Sequence, residues 1–189
     1  MDILELTPRT WPALETLFSA NKTVGACWCC WFMRPGKEID ANWGEGNKRY
    51  LREKVDARAP LGLLAVEDDE PLGWVAVAPR PTYPRLDTSK ITRSDAGPDT
   101  WSVTCFFVHR RARRRGLAAT LLDAAVDYAG EHGAAAVEGH PVDTEGTRRS
   151  SGDVYHGTLN MFLAAGFALV DRRGKRRALV RKEISGEVR

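Results

Sequence analysis

The stretch Val108–Leu122, VHRRARRRGLAATLL, sets a histidine and five arginines directly before a glycine and an alanine–leucine run. Like charges crowded onto one turn repel, so a chain needing only solubility would scatter them. The cluster calls for an anion. A helix beginning here would aim unpaired backbone N–H groups and the positive end of its dipole at that anion. Gly116 and Ala118 are small enough to let it approach the backbone.

The 28 basic and 25 acidic residues leave a net charge of only +3, so the cluster is a local feature. This argues against a general polycation, although a non-catalytic nucleic-acid-binding protein using the arginines is an alternative with its own signature, strong salt dependence. With 189 residues, 43% hydrophobic and 28% charged, the expectation is one globular domain over residues 1–189. No run approaches the roughly 18 apolar residues of a membrane span. The N-terminus MDILELTPRTW lacks a basic stretch followed by an apolar one, so the expected location is cytoplasmic, with no membrane partner. Cys27, Cys29 and Cys30 crowd into GACWCCW with Cys105 far away, and no second ligand pair follows. The expectation is reduced thiols in an aromatic wall and no metal.

The elements that would position the cluster follow from periodicity. DILEL alternates as a short strand, and Trp11, Leu14, Leu17 and Phe18 recur at helical spacing. Residues 21–36 read as a loop rich in tryptophan and cysteine, and NKRYLREKVDAR as an amphipathic helix stopped by Pro60. LGLLAVEDDEPLGWVAVAP reads as a hairpin with its tip at Asp68 to Pro71. Residues 80–100 form a long loop, and TWSVTCFFV is the next strand. The main helix is expected from Arg114 to His132, closed by Gly133. AAAVEGH is a strand, DTEGTRRSSGD a mobile loop, and GTLNMFLAAG a last helix ending at Gly166. Two strands, FALVD and RALVRKE, close the chain around RRGK. The order is β-α-α-β-β-β-α-β-α-β-β.

A strand that feeds a basic glycine loop and then the longest helix resembles motif A of the GNAT superfamily of acyl-CoA-dependent N-acyltransferases. That motif is Arg or Gln, two residues, Gly, one residue, then Gly or Ala. Here it reads Arg113, Arg114, Arg115, Gly116, Leu117, Ala118, with Val108 five residues ahead as the last residue of the central strand. The resemblance runs from about Leu61 to Phe167 and ends in MFLAAGF. It implies an α+β, three-layer fold: a mixed, mostly antiparallel sheet of about seven strands, helices on both faces, and splayed central strands. It also implies acetyl-CoA as cosubstrate, its pyrophosphate on the N–H groups of Arg113 to Ala118 and its pantetheine paired with the backbone of Phe106 and Val108. The activity implied is transfer of the acetyl group to a primary amine of a small molecule by direct attack, with a protein lysine or N-terminus as the alternative acceptor.

Many members of that family carry a tyrosine acid in the last helix, five residues before the Phe of the Gly-Phe pair. Here Phe162 stands in its place, so Tyr155 becomes the candidate acid. Glu138, His140 and His109 are candidate bases, although a lone histidine or a strand-edge glutamate is more often structural and water can relay the proton. In the family the loop between the first two helices faces the acceptor. Trp28, Trp31, Phe32 and Met33 would there form an apolar or cation-binding wall, or else close the core or a homodimer interface.

Overall fold

The computed structural model describes residues 1–147, 150 and 152–184. The chain runs β1 (Asp2–Glu5), α1 (Trp11–Ser19), α2 (Lys22–Cys27), α3 (Gly36–Ala41), α4 (Glu45–Asp56), β2 (Gly62–Glu67), β3 (Glu70–Pro79) and β4 (Thr100–Val108). It continues through α5 (Leu117–Glu131), β5 (Ala136–Gly139), α6 (Leu159–Ala164), β6 (Ala168–Arg173) and β7 (Arg177–Glu183). The strands form one seven-stranded sheet in the order β1-β2-β3-β4-β5-β7-β6. Every pairing is antiparallel except β4 with β5. Helices α1–α4 pack on one face around Trp74, Phe18 and Leu51, and α5 with α6 on the other around Val75, Leu121 and Phe162. The three-layer expectation and all seven strands hold.

Local chemistry accounts for the element ends. Asp68 and Asp69 both take positive φ, 50° and 63°, which makes the tight turn the hairpin needed, and α5 and α6 end ahead of Gly133 and Gly166 as anticipated. Two expectations change. Residues 21–36 are not all loop, and four helices instead of two precede the hairpin, α3 being the other addition: Asn21 caps α2 by accepting from the N–H groups of Thr23 and Val24, and Trp28 ends it in a left-handed conformation. Helices of six residues are too short for a period to announce them. The main helix begins at Leu117, because Arg114 and Gly116 are left-handed and cannot lie within it. The loop expected over residues 143–153 includes Arg148, Arg149 and Ser151, which lie outside the described residues.

Two features set the geometry of the sheet centre. A bulge on β4 shifts its register with β3, from Ala76↔Cys105 to Val77↔Val103. The extra residue reverses the inside–outside alternation along the strand, so Val103 and Phe106 both point to the α5 side while Cys105 and Phe107 point to the α1 side. Then β4 parts from β5. Their parallel pairing covers only Thr100↔Ala136 to Val103↔Gly139, leaving the second half of β4 without a strand on that edge. Phe162, fully buried, sits at the parting, edge-on to Phe106 at 6.2 Å and to Phe167 at 4.9 Å. Gly139 makes room for it: a Cβ there would lie 2.3 Å from the Phe162 ring.

Glu138 is the strut beside that parting. It is fully buried, its Oε1 accepting from Arg181 at 2.8 and 3.0 Å and from Ser94 Oγ at 2.7 Å, its Oε2 from Arg80 at 3.2 Å. Arg80 also binds Asp87 at 2.6 Å. The network ties β5 to β7 and to the long loop after β3.

Removing one partner of a buried ion pair strands the others. Glu138→Ala should lower unfolding stability by about 3–5 kcal/mol, toward the smaller value because Asp87 and Asp95 stay near the two arginines. Trp28 is only 3% exposed and stacks on Trp11 at 5.6 Å, so Trp28→Ala should cost about 3–5 kcal/mol through the cavity it leaves. Urea unfolding monitored by circular dichroism measures both.

Candidate functional site

A groove of about 860 Å3 follows the open edge of β4. One end is the β4–α5 turn. No side chain caps α5, so its first N–H groups face outward, and Arg114 (φ 64°) and Gly116 (φ 77°) bend the preceding backbone into a concave nest. Nothing lies within 4 Å of where a Gly116 Cβ would be. Glycine is needed there for its φ, and the space outside it is open to a ligand.

The arginines divide by task. Arg113 and Arg114 line the groove, Arg113 also donating from Nε to the Val108 carbonyl at 3.2 Å. Arg115 turns away and holds Glu67 with both guanidinium nitrogens at 2.8–3.0 Å, so its backbone borders the nest while its side chain braces β2. Arg111 is similarly engaged with Glu70 at 3.4 Å. Two of the cluster's arginines thus serve the sheet.

Along the middle of the groove the walls are largely apolar, with Val24, Phe106, Phe107, Leu117 and Met161 among them. Thr104, Phe106 and Val108 direct their backbone groups to the open edge. The loop before α6 takes part of that edge: the Phe106 N–H donates to the Tyr155 carbonyl at 2.6 Å, and His156 Nδ1 bonds the Thr104 carbonyl at 2.8 Å. A pairing of pantetheine with the Phe106 N–H therefore meets a group already bonded. The Phe106 carbonyl and the Val108 N–H lie on the same edge beyond that contact.

Tyr155 lines this groove, half-buried. Burial raises its hydroxyl above the usual tyrosine pKa, and the Arg177 guanidinium partly opposes the rise. The hydroxyl stays protonated at neutral pH and is equipped to donate. Its ring lies 4.0 Å from that of His156. Burial, then Arg177, depress His156 to about 3, so it is neutral. With Nδ1 donating to the Thr104 carbonyl, its Nε2 carries a lone pair. Sequence reasoning missed His156, whose role comes from β4, 52 residues away.

Beyond Tyr155 and His156 lies a second, smaller cavity of about 240 Å3, meeting the groove at Trp31 and Phe32, which line both. Trp31 and Phe32 therefore stand at the junction of the two cavities. Trp28 does not; it lines neither cavity and belongs to the core. One face of Trp31 is already covered by Arg85 at 4.1 Å. His140 lines the small cavity, whereas Glu138 lines neither and its oxygens are committed to Arg80, Arg181 and Ser94. That geometry suits a strut and gives it no lone pair facing a substrate. His109 packs at the start of the turn, its Nδ1 buried.

All four cysteines are free thiols, and no group of three or more metal-binding side chains occurs among the described residues. No helix among them is long and apolar enough to cross a membrane.

The sheet order and the site can be set beside known proteins. No curated protein matches the sequence. Solved structures match nearly end to end. An aminoglycoside 6'-acetyltransferase type Ii superposes with a TM-score of 0.57 at 15% identity, covering 97% of each chain. A ribosomal-protein-alanine N-acetyltransferase from Brucella melitensis gives 0.54 at 15%, covering 97% of this chain and 100% of that one. The PaiA N-acetyltransferase from Thermoplasma acidophilum, solved in complex with coenzyme A, gives 0.53 at 13%, covering 97% and 98%. At these identities the likeness is one of fold. The sequence itself matches the model of the acetyltransferase (GNAT) family over residues 20–148, from α2 through the parted strands and the nest. With that match spanning more than half of the residues, the chain belongs to the GNAT family of acetyltransferases.

Proposed function

We propose that the protein transfers an acetyl group from acetyl-CoA to a primary amine of a small molecule. The observation that carries this reading is one continuous groove, with an uncapped α5 N-terminus and two left-handed residues at one end and Tyr155 at the other. The nest of Arg113 to Ala118 would hold the coenzyme pyrophosphate through backbone N–H groups, with Arg113 and Arg114 adding charge. The pantetheine would lie along β4 toward the junction of the two cavities. There a neutral amine attacks the thioester carbonyl, the C–N bond forms, the C–S bond breaks, and the thiolate leaves with a proton from Tyr155 Oη. The amine's own proton passes to water or to the lone pair on His156 Nε2. The smallness of the second cavity, about 240 Å3 and bounded by Trp31, Phe32 and His156, favours a small acceptor over a polypeptide.

Coenzyme A should raise the melting temperature, since a ligand at a hundred times its Kd adds about 2.7 kcal/mol to the native state. Gly116→Glu should remove this stabilisation, because it forces a side chain into left-handed backbone and sets a carboxylate where the phosphate belongs. A wild-type protein that folds but gains no thermal stability from millimolar coenzyme A would refute the reading.

The Tyr155 contact to β4 uses its carbonyl, so Tyr155→Phe keeps the loop anchored while it removes the hydroxyl and that group's interaction with Arg177. Turnover should fall by about 10²–10⁴-fold with coenzyme Kd nearly unchanged. Unchanged turnover in steady-state kinetics would exclude the hydroxyl as the acid.

A further inference from the structure

We infer that the small cavity is an anion site and that the acceptor is an amine that also carries a carboxylate or another small anionic group, bound by Arg177, Arg85, Ser89 and His140. The inference deepens the acetyl-transfer reading, because it assigns the acceptor's chemical class.

The cavity offers donors and no negative charge. Its lining includes two arginines, two histidines and three hydroxyl residues, and no aspartate or glutamate; the large groove likewise has none among the described residues. Neither Arg85 nor Arg177 makes a salt bridge among the described residues, although the same region is dense in acids paired elsewhere. Asp87, the nearest in sequence to Arg85, is turned onto Arg80. Asp143 is held by Arg172, and Asp171 by Arg173 at 2.6 Å. Two cations that line one pocket in a fold that pairs so many others await a charge from outside.

The individual groups agree. The Arg177 Nη1 is buried without a hydrogen-bond partner among the described residues, the Tyr155 hydroxyl lying nearby but outside hydrogen-bonding geometry. His140 is 1% exposed, and both of its ring nitrogens lack partners, the Thr92 backbone lying nearby but outside hydrogen-bonding geometry. Burial and the neighbouring Arg80 depress its pKa to about 3, so it is a neutral imidazole with one N–H to give. Buried polar groups are rarely left unpaired without a role. The Ser89 hydroxyl accepts from the Ile91 N–H, which leaves its own proton free to donate. Arg85 is fixed over the Trp31 ring and donates to the Trp31 carbonyl at 3.0 Å, so its fork is preorganised beside the cavity.

The same lining disfavours the opposite class. A polyamine or polycationic sugar needs carboxylates around it, and here it would meet uncompensated arginines. An amino acid or an aminoalkyl phosphonate instead would set its anion on Arg177 and Arg85, with Arg177 standing beside Tyr155 and His156. Its amine would then point toward Phe32, Tyr155 and His156, where the two cavities meet.

The test compares matched acceptors in an acetyl-CoA thiol-release assay: free amino acids and aminoalkyl phosphonates against their carboxamides and against spermidine. Calorimetry with N-acetylphenylalanine and its amide reads the same pocket without turnover. The acids should exceed the amides by about tenfold to a hundredfold in kcat/KM, the range expected of charge-assisted hydrogen bonds. Arg177→Met should bring that ratio close to one. Because Arg177 opens β7, its melting temperature is measured alongside, and Arg85→Met, on a surface turn, serves as a second variant expected to shrink the ratio. Arg177→Lys should restore part of it. Preference for amides or spermidine, or an acid-to-amide ratio unmoved by both methionine variants, would overturn the anion site while coenzyme binding and transfer still stand. Failure of coenzyme A to bind, with N-acetylphenylalanine still bound tighter than its amide, would instead remove the acetyl-transfer reading and keep the site.

Discussion

The parting of β4 from β5 is the constraint on which the rest of the molecule depends. Two parallel strands paired over four residues normally continue to pair, because each unbonded N–H and C=O in a sheet interior is costly. Here they cannot. Phe162 fills the space where the strands would close, Gly139 yields the volume for its ring, and the loop through Tyr155 and His156 takes up the Phe106 N–H and the Thr104 carbonyl. The sheet is thus held open at its centre by packing on one side and by hydrogen bonds from a loop on the other.

Holding the strands apart fixes where the charges fall. The N-terminus of α5 and its nest lie at one end of the resulting groove, and Arg85 and Arg177 line the cavity at the other. Between them the walls are mostly apolar. Under the proposed chemistry this arrangement draws an anionic group of each substrate to opposite ends, so the uncharged thioester and the amine meet in the middle. Attraction at the two ends would orient both molecules without spending charge on the reacting atoms. The arginine run answers two needs at once: Arg113 and Arg114 face the groove, while Arg115 and Arg111 neutralise Glu67 and Glu70 across the β2–β3 hairpin.

Phe162 also bears on the catalytic acid. A side chain that is fully buried among Phe106, Phe167 and Gly139 has become part of the wedge, where a hydroxyl would need a partner that this packing does not supply. Tyr155 lies on the loop that the wedge supports, its carbonyl pinned to β4 and its ring against His156. In this chain the proposed acid is therefore placed by a backbone contact with the central strand.

The sequence alone was sufficient for the strands and the longer helices, but not for the six-residue helices α2 and α3. Alternation gave the strands, the spacing of Leu117, Leu121, Leu122 and Ala125 gave α5, paired aspartates gave the hairpin turn, and the Arg–Gly–Ala spacing after a strand gave the nest, because each depends on residues within a few positions of one another. It also brought Tyr155, Trp31 and Phe32 forward as site candidates, and they line the cavities. Tertiary structure alone decided how residues distant in the chain share their partners. Trp28 and Trp31 look alike in sequence, but three residues turn one into the Trp11 stack and leave the other under Arg85. Glu138 reads as a possible base until Arg80 and Arg181 are seen to close on it from 58 and 43 residues away. Arg85, His140, His156 and Arg177 carry no common spacing or motif, and only the folded chain brings them to one cavity, since side-chain proximity across a sheet is set by strand order and register, which periodicity does not encode.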